Sequence, residues 1–140
     1  MIHTSLYEVL TNDADVGGAV SEVYHMWAPE DAALPFIIYE QSGTEHVRHF
    51  TKGSGREFVD ITLSIFADTG TSALNIADDV RELMDNLHTT DLGSTGIEAV
   101  CFLNDQFSTA IARAVDAGKE RFFHKVTQRW TIFTEETAVQ

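Results

Sequence analysis

At 140 residues the chain can build one hydrophobic core but not two, so a single domain over residues 1–140 is expected. Hydrophobic residues make up 44% and charged residues 22%, which argues against disorder; the longest apolar run, residues 34–39, is broken by Pro35 and too short to cross a bilayer. Twenty-two acids against nine bases leave a net charge of −13, which disfavours a stable grip on nucleic-acid phosphates.

The acidity is uneven: residues 1–47 hold Glu8, Asp13, Asp15, Glu22, Glu30, Asp31, Glu40 and Glu45 and no Lys or Arg. The start, Met-Ile-His-Thr-Ser-Leu-Tyr-Glu, has neither the basic segment nor the apolar stretch of an export signal. The one cysteine, Cys101, cannot close an internal disulfide. Its apolar neighbours Val100 and Phe102 mark it as buried filler, and synthesis in a reducing cytoplasm is expected.

Along the chain, Ile2, Leu6, Val9 and Leu10 recur at helical spacing, with Ser5 and Glu8 as a candidate capping box and Asn12-Asp13 as the stop. Gly17-Gly18 then reads as a turn. Residues 23–27 form a short strand candidate with Val23, His25 and Trp27 on one side, and Pro29 and Pro35 bracket an irregular loop. Residues 36–41, aromatic and β-branched, are a strand. Residues 58–66 alternate, Val59, Ile61, Leu63 and Ile65 facing one way and Asp60, Thr62 and Ser64 the other, the pattern of a strand with one buried face. The polar stretch 42–57 between them, with Gly43, Gly53 and Gly55, reads as a long β-hairpin arm with a mobile tip.

Residues 72–87 carry the clearest helical stripe, Ile76, Val80, Leu83, Met84 and Leu87, with Thr71 or Ser72 as cap and acids in the first half to suit the helix dipole. Residues 89–96 read as loop and 97–103 as strand. Residues 122–133 are a long strand with Val126, Trp130 and Ile132 on one face. Residues 108–118 fit two descriptions, a short helix closed by Gly118 or a hairpin arm between flanking strands, and are read as a loop or arm. The sum is an α+β domain: a mostly antiparallel sheet with helices packed on one face.

No pattern in the sequence carries catalysis. Ser54 lies between glycines in Lys52-Gly53-Ser54-Gly55, within a hairpin and not on a strand-to-helix turn, and no glycine-rich loop continues into GK[ST]. His46 and His49, with Glu45, make too few ligands for a structural metal site. Asp78, Asp79, Glu82 and Asp85 are the solvated side of an amphipathic helix. Phe107, Phe122, Phe123, Trp130 and Phe133 mostly alternate within strand candidates, with no basic patch interleaved, which reads as core and interface. The expectation is a non-enzymatic protein without metal, cofactor or membrane association.

One segment is more specific. Trp27-Ala28-Pro29, the short loop, and Leu34-Pro35-Phe36-Ile37-Ile38-Tyr39 follow an opening helix reading Leu6-Tyr7-Glu8-Val9-Leu10-Thr11-Asn12-Asp13-Ala14. This order, continued by the alternating strand and the helix after it, resembles the phage tail completion, or tail terminator, family over nearly the whole chain. Ala28, Pro29, Leu34, Pro35, Phe36 and Tyr39 carry the resemblance; residues 108–118 depart from it, being longer and less polar than the usual connection. The resemblance implies a virion protein of the tail or neck, assembled in the host cytoplasm as a homo-oligomeric, hexameric ring. Such a ring caps the tail tube protein, stops its growth and meets the head-side connector, while DNA passes through the bore without specific binding. Arg48, Lys52 and Arg56 on the 42–57 hairpin are then candidate contacts to a neighbouring subunit or to the tube. Competing readings are a head-side stopper or adaptor of the same neck, a small ligand-binding or hydrolytic domain using a pocket beside Trp27 and Trp130, and an acidic mimic of DNA.

Overall fold

The computed structural model describes residues 2–29, 32–48, 53–86, 91–92, 97–115 and 119–136. Its elements are α1 (Ile2–Asn12), α2 (Ala14–Ala19), β1 (Glu22–His25), β2 (Phe36–Arg48), β3 (Gly53–Ala67), α3 (Gly70–Asp85), β4 (Asp91–Leu92), β5 (Ile97–Val115) and β6 (Lys119–Glu136). The strands form one sheet in the order β1-β2-β3-β6-β5-β4, with only β1 and β2 parallel. This is the α+β architecture expected, and all three helices pack on the same face.

That face is set by alternation. Register places Val59, Ile61, Leu63 and Ile65 of β3 opposite Ile132, Trp130, Gln128 and Val126 of β6, and Ile37 and Tyr39 of β2 join the same side. They bury against Ala73, Ile76, Ala77, Val80 and Met84 of α3 and Leu6 and Leu10 of α1 in one cluster. Each fully buried Leu or Ile contributes about 1.5–3 kcal/mol, so this layer dominates the stability. Gln128 is the polar exception. Its Nε2 donates to the Ala77 carbonyl at 2.9 Å and to Gln106 Oε1 at 2.8 Å, and its Oε1 accepts from Trp130 Nε1 at 3.0 Å. A β-bulge at Asn104 of β5 brings Gln106 round to the core side, where it meets Gln128.

Several local expectations are corrected. Helix α1 begins at Ile2, so Ser5 and Glu8 lie inside it and form no capping box at its start. Gly17-Gly18 is not a turn but part of α2, capped by Asp13, whose carboxylate accepts from the Asp15 and Val16 backbone N–H groups. The helix tolerates Gly17 because a Cβ there would collide with the Thr11 carbonyl oxygen of α1. Strand β1 ends at His25: Met26, at φ 72°, turns the chain away, and Trp27 stands 71% exposed and not beside Val23. The cap of α3 is Thr69, which accepts from Ser72 N at 3.1 Å. The acids of α3 begin at Asp78, beyond the first turn, so they gain little from the dipole.

Residues 91–92, expected in a loop, pair with β5. Residues 108–115 are strand: β5 stays paired with β6 as far as Val115 and Lys119, which removes the helical alternative and leaves the arm. Because β3 leaves β6 at His124, the last rungs form a two-stranded ribbon among the described residues. The β2–β3 hairpin points to the opposite end of the sheet; its tip, 49–52, lies outside the described residues, as does Leu87.

Candidate functional site: an uncovered sheet face

With the helices on one side, the other side of the sheet is partly bare. At its β1–β2 end the loop after β1 returns across it: Ala32 packs with Phe36 and Phe66, supported by Tyr24, Ala28, Leu34, Ile38 and Phe123. The rings meet at 4.8 Å for Phe36–Phe66, 5.4 Å for Phe66–Phe123 and 5.8 Å for Tyr24–Phe36. The Pro35 carbonyl accepts from Ser21 N at 2.7 Å and that of Pro29 from Ala32 N at 3.0 Å, so both prolines serve the loop through the acceptors they keep. Of the motif residues, Ala28, Leu34 and Phe36 belong to this cluster, whereas Tyr39 faces the main core and stacks on His25 at 4.9 Å.

Beyond the loop the face is open. Phe58, Phe102 and Phe107 are 38%, 53% and 42% exposed, and Phe58 leans on Phe133 at 5.0 Å. Between the rings stand polar groups: Asn104 Nδ2 donates to Thr131 Oγ1 at 2.8 Å, and Thr131 Oγ1 donates to Asp60 Oδ1 at 2.9 Å. Lys125 Nζ lies 5.6 Å above the Phe66 ring and the Arg129 guanidinium 5.3 Å from that of Phe107. Arg129 also reaches Asp105 at 3.6 Å, an exposed pair of small energetic weight. The sequence shows no basic patch interleaved with the aromatics, yet cross-strand register brings two single cations, Lys125 and Arg129, onto rings that stand far from them in sequence.

Nothing among these groups resembles a nucleophile with its base. Cys101 is buried at the core, and burial, with the Asp85 charge nearby, pushes its thiol pKa up to about 12, opposite to what a reactive thiolate needs. Trp130 has no exposed surface, so it cannot share an accessible pocket with Trp27. A cleft of about 230 Å³ between α1, α2 and β1 is lined by Tyr7, Thr11, Ser21 and Glu22, smaller than ordinary small-molecule sites. Among the described residues no three of His, Cys, Asp and Glu converge as metal ligands. On the β2–β3 hairpin, Arg48 stands opposite Gly53, and Arg56 lies between Val47 and Glu135 in register; Lys52 and His49 lie outside the described residues.

The comparison with known families decides the identity: a family model described as tail completion protein gp17 matches residues 4–128. The chain belongs to that family. This tail completion protein is a structural component of a phage virion, placed in its tail or neck. Its fold is similar to that of a chain in the solved virion of a native gene transfer agent particle, at a TM-score of 0.58 and 19% identity, covering 96% of this chain and 94% of that one. No curated protein matches it. The family match spans α1 through most of β6, including the loop bracketed by Pro29 and Pro35.

Proposed function

We propose that this tail completion protein closes into a ring, six subunits round, on the last ring of tail tube protein. There it ends tube growth and presents a surface to the head-side connector, and the genome passes through its bore. The observation that supports this most is the uncovered sheet face. A free monomer would hold Phe58, Phe102 and Phe107 in water on one side of the sheet, and exposed aromatic rings set among polar groups suit a protein contact. A closed ring needs two different patches per subunit, and a sheet with helices on one side only supplies two unlike faces. The net charge of −13 suits a channel along which DNA slides, because like charge prevents sticking.

The protein works, on this reading, by shape and contact alone, with no enzymatic step and no cofactor. The β2–β3 hairpin reaches an acidic patch on a neighbour or on the tube through Arg48, Lys52 and Arg56. Reversing all three charges should abolish docking on purified tubes; unchanged docking and ring formation would remove that role. The reading as a whole is tested by native mass spectrometry with tail tubes, followed by cryo-microscopy of the tails. The expected result is a species of six times the monomer mass at the head end of the tube. A monomer that persists beside tubes would overturn it, and a ring found on the head side would mean a stopper.

A further inference from the structure

We infer that the Met26–Trp27 turn after β1 is a plug that seats in an apolar, cation-rimmed socket on the head-side connector. This rests on the reading above of a subunit that caps the tail and meets the head, and it names the residues that make the second contact. Among the described residues, Met26 and Trp27 are the two most exposed large hydrophobics, at 62% and 71%, and they are adjacent. The backbone that holds them out is strained. Trp27 N–H donates to the His25 carbonyl at 2.9 Å across Met26 at φ 72°, a three-residue γ-turn in its rare, positive-φ form. A Met there holds a conformation that favours glycine. Strain of this kind persists where the surrounding structure over-determines it, and it collects at clamps and switches. The turn is also held firmly: Met26 N–H donates to the Tyr39 carbonyl at 2.9 Å, His25 stacks on Tyr39, and Ala28 packs into the Phe36 cluster. An indole presented on a fixed backbone loses little further freedom on binding, which is how an interface anchor is built.

Charge selects the occupant. Residues 1–47 contain no Lys or Arg, and Glu40, next to the Tyr39 that holds the turn, is exposed. A socket that closes round the turn therefore needs cations on its rim, where an Arg can also stack on the indole face. A second copy does not offer them. Its described cations are Arg81, Lys125 and Arg129, and each is engaged: Arg81 with Asp85, Lys125 with the Phe66 ring, Arg129 with Phe107 and Asp105. DNA phosphates and anionic lipid are repelled by the net charge of −13. The tube is set aside by distance. The hairpin assigned above to a neighbouring subunit or the tube runs on from Tyr39 along β2 to Arg48, about 30 Å at the rise of an extended strand, too far for the turn to share its contact. That leaves the head side for the turn.

Trp27→Ala and Met26→Gly in the full-length protein test this, with Glu40→Lys as the charge probe. Both turn variants should unfold no earlier than the wild type, Met26→Gly because glycine accepts the positive φ without strain. Tails finished with either variant should have wild-type length by electron microscopy, yet join purified heads at least about tenfold more slowly. Joining should also shield the wild-type Trp27 from acrylamide quenching, with Trp27→Ala supplying the baseline from buried Trp130 and from the heads. Glu40→Lys should slow joining and flatten its decline with salt. Trp27→Ala tails that join heads at the wild-type rate, or a Trp27 still open to acrylamide in joined particles, would overturn the plug while leaving the capping role intact. Over-long tails would give the turn to the tube, and oligomers lost in the absence of tubes and heads would give it to a second copy; either result overturns the assignment to the head. A wild type that neither caps tubes nor joins tails to heads would overturn the function proposed above together with this contact.

Discussion

Replacing Gln128 by Leu tests whether the polar centre of the core is a stabilising feature. The side chain is fully buried and makes three hydrogen bonds, to the Ala77 carbonyl, to Gln106 and from the Trp130 indole. Leu fills nearly the same volume but satisfies none of them. The Gln106 amide is exposed and can turn to water, and the Ala77 carbonyl is a helix acceptor with a backbone donor of its own. The indole N–H cannot escape, since Trp130 has no exposed surface. A buried donor left without an acceptor costs about 1–3 kcal/mol, and the extra apolar burial of Leu offsets only part of that, so a net loss of about 2 kcal/mol is expected. With a urea dependence of about 2 kcal/mol per molar for a domain of this size, the unfolding midpoint should fall by about 1 M at unchanged slope. Gln128→Glu refines the test. Burial raises the pKa of a carboxyl there, so the folded state holds its proton longer than the unfolded state and stability falls as pH rises; relative to wild type, the Glu variant should be less destabilised at pH 4 than at pH 8. A Leu variant within 0.5 kcal/mol of wild type (an estimate at the scale of ordinary surface substitutions) would refute the reasoning.

Three further outcomes follow from particular residues. Gly17→Ala should destabilise by about 1–3 kcal/mol, because its Cβ would strike the Thr11 carbonyl, whereas Gly18→Ala, which meets open space, should gain up to about 1 kcal/mol of helix propensity; thermal unfolding of the two separates them. Cys101 should resist thiol reagents in the native protein at pH 8 and react once unfolded. Because its pKa rises on folding, the unfolded state loses the proton first, and the thiol's contribution to stability is complete below about pH 9 and lost towards pH 12. Trp27→Ala should leave the unfolding free energy within about 0.5 kcal/mol of wild type, since the ring is 71% exposed, while removing a fluorescence signal that does not shift on unfolding.

How far the sequence could be read depended on the range of the interaction. The alternation of Val59, Ile61, Leu63 and Ile65 and the stripe Ile76, Val80 and Met84 are local patterns, and both lie on the buried side as expected. Gly17-Gly18 misled because the reason for the glycine, close approach to Thr11, is a contact between helices and not a turn. Trp27 misled because the left-handed Met26, which breaks the alternation, has no sequence signature. The interleaving of Lys125 and Arg129 with Phe66 and Phe107 could not be seen at all: it exists only once β6 has been zipped between β3 and β5. Of the candidate contacts, Arg48 pairs in the ladder with Gly53, and Arg56 with Val47 on one side and Glu135 on the other.

The bulge at Asn104 sets the facing of everything that follows it on β5. One surplus residue acts as a half-period phase shift: Asp105 pairs with Arg129 and Phe107 with Thr127 on the bare side, while Gln106 turns inward to Gln128. Paired without the bulge, the same sequence would set Asn104 opposite Arg129 and Asp105 opposite Gln128, turning a carboxylate towards the core and taking Gln106 away from its partner. The polar lock of the core and the outward Phe107 are therefore timed by the same inserted residue, and neither can be re-registered alone.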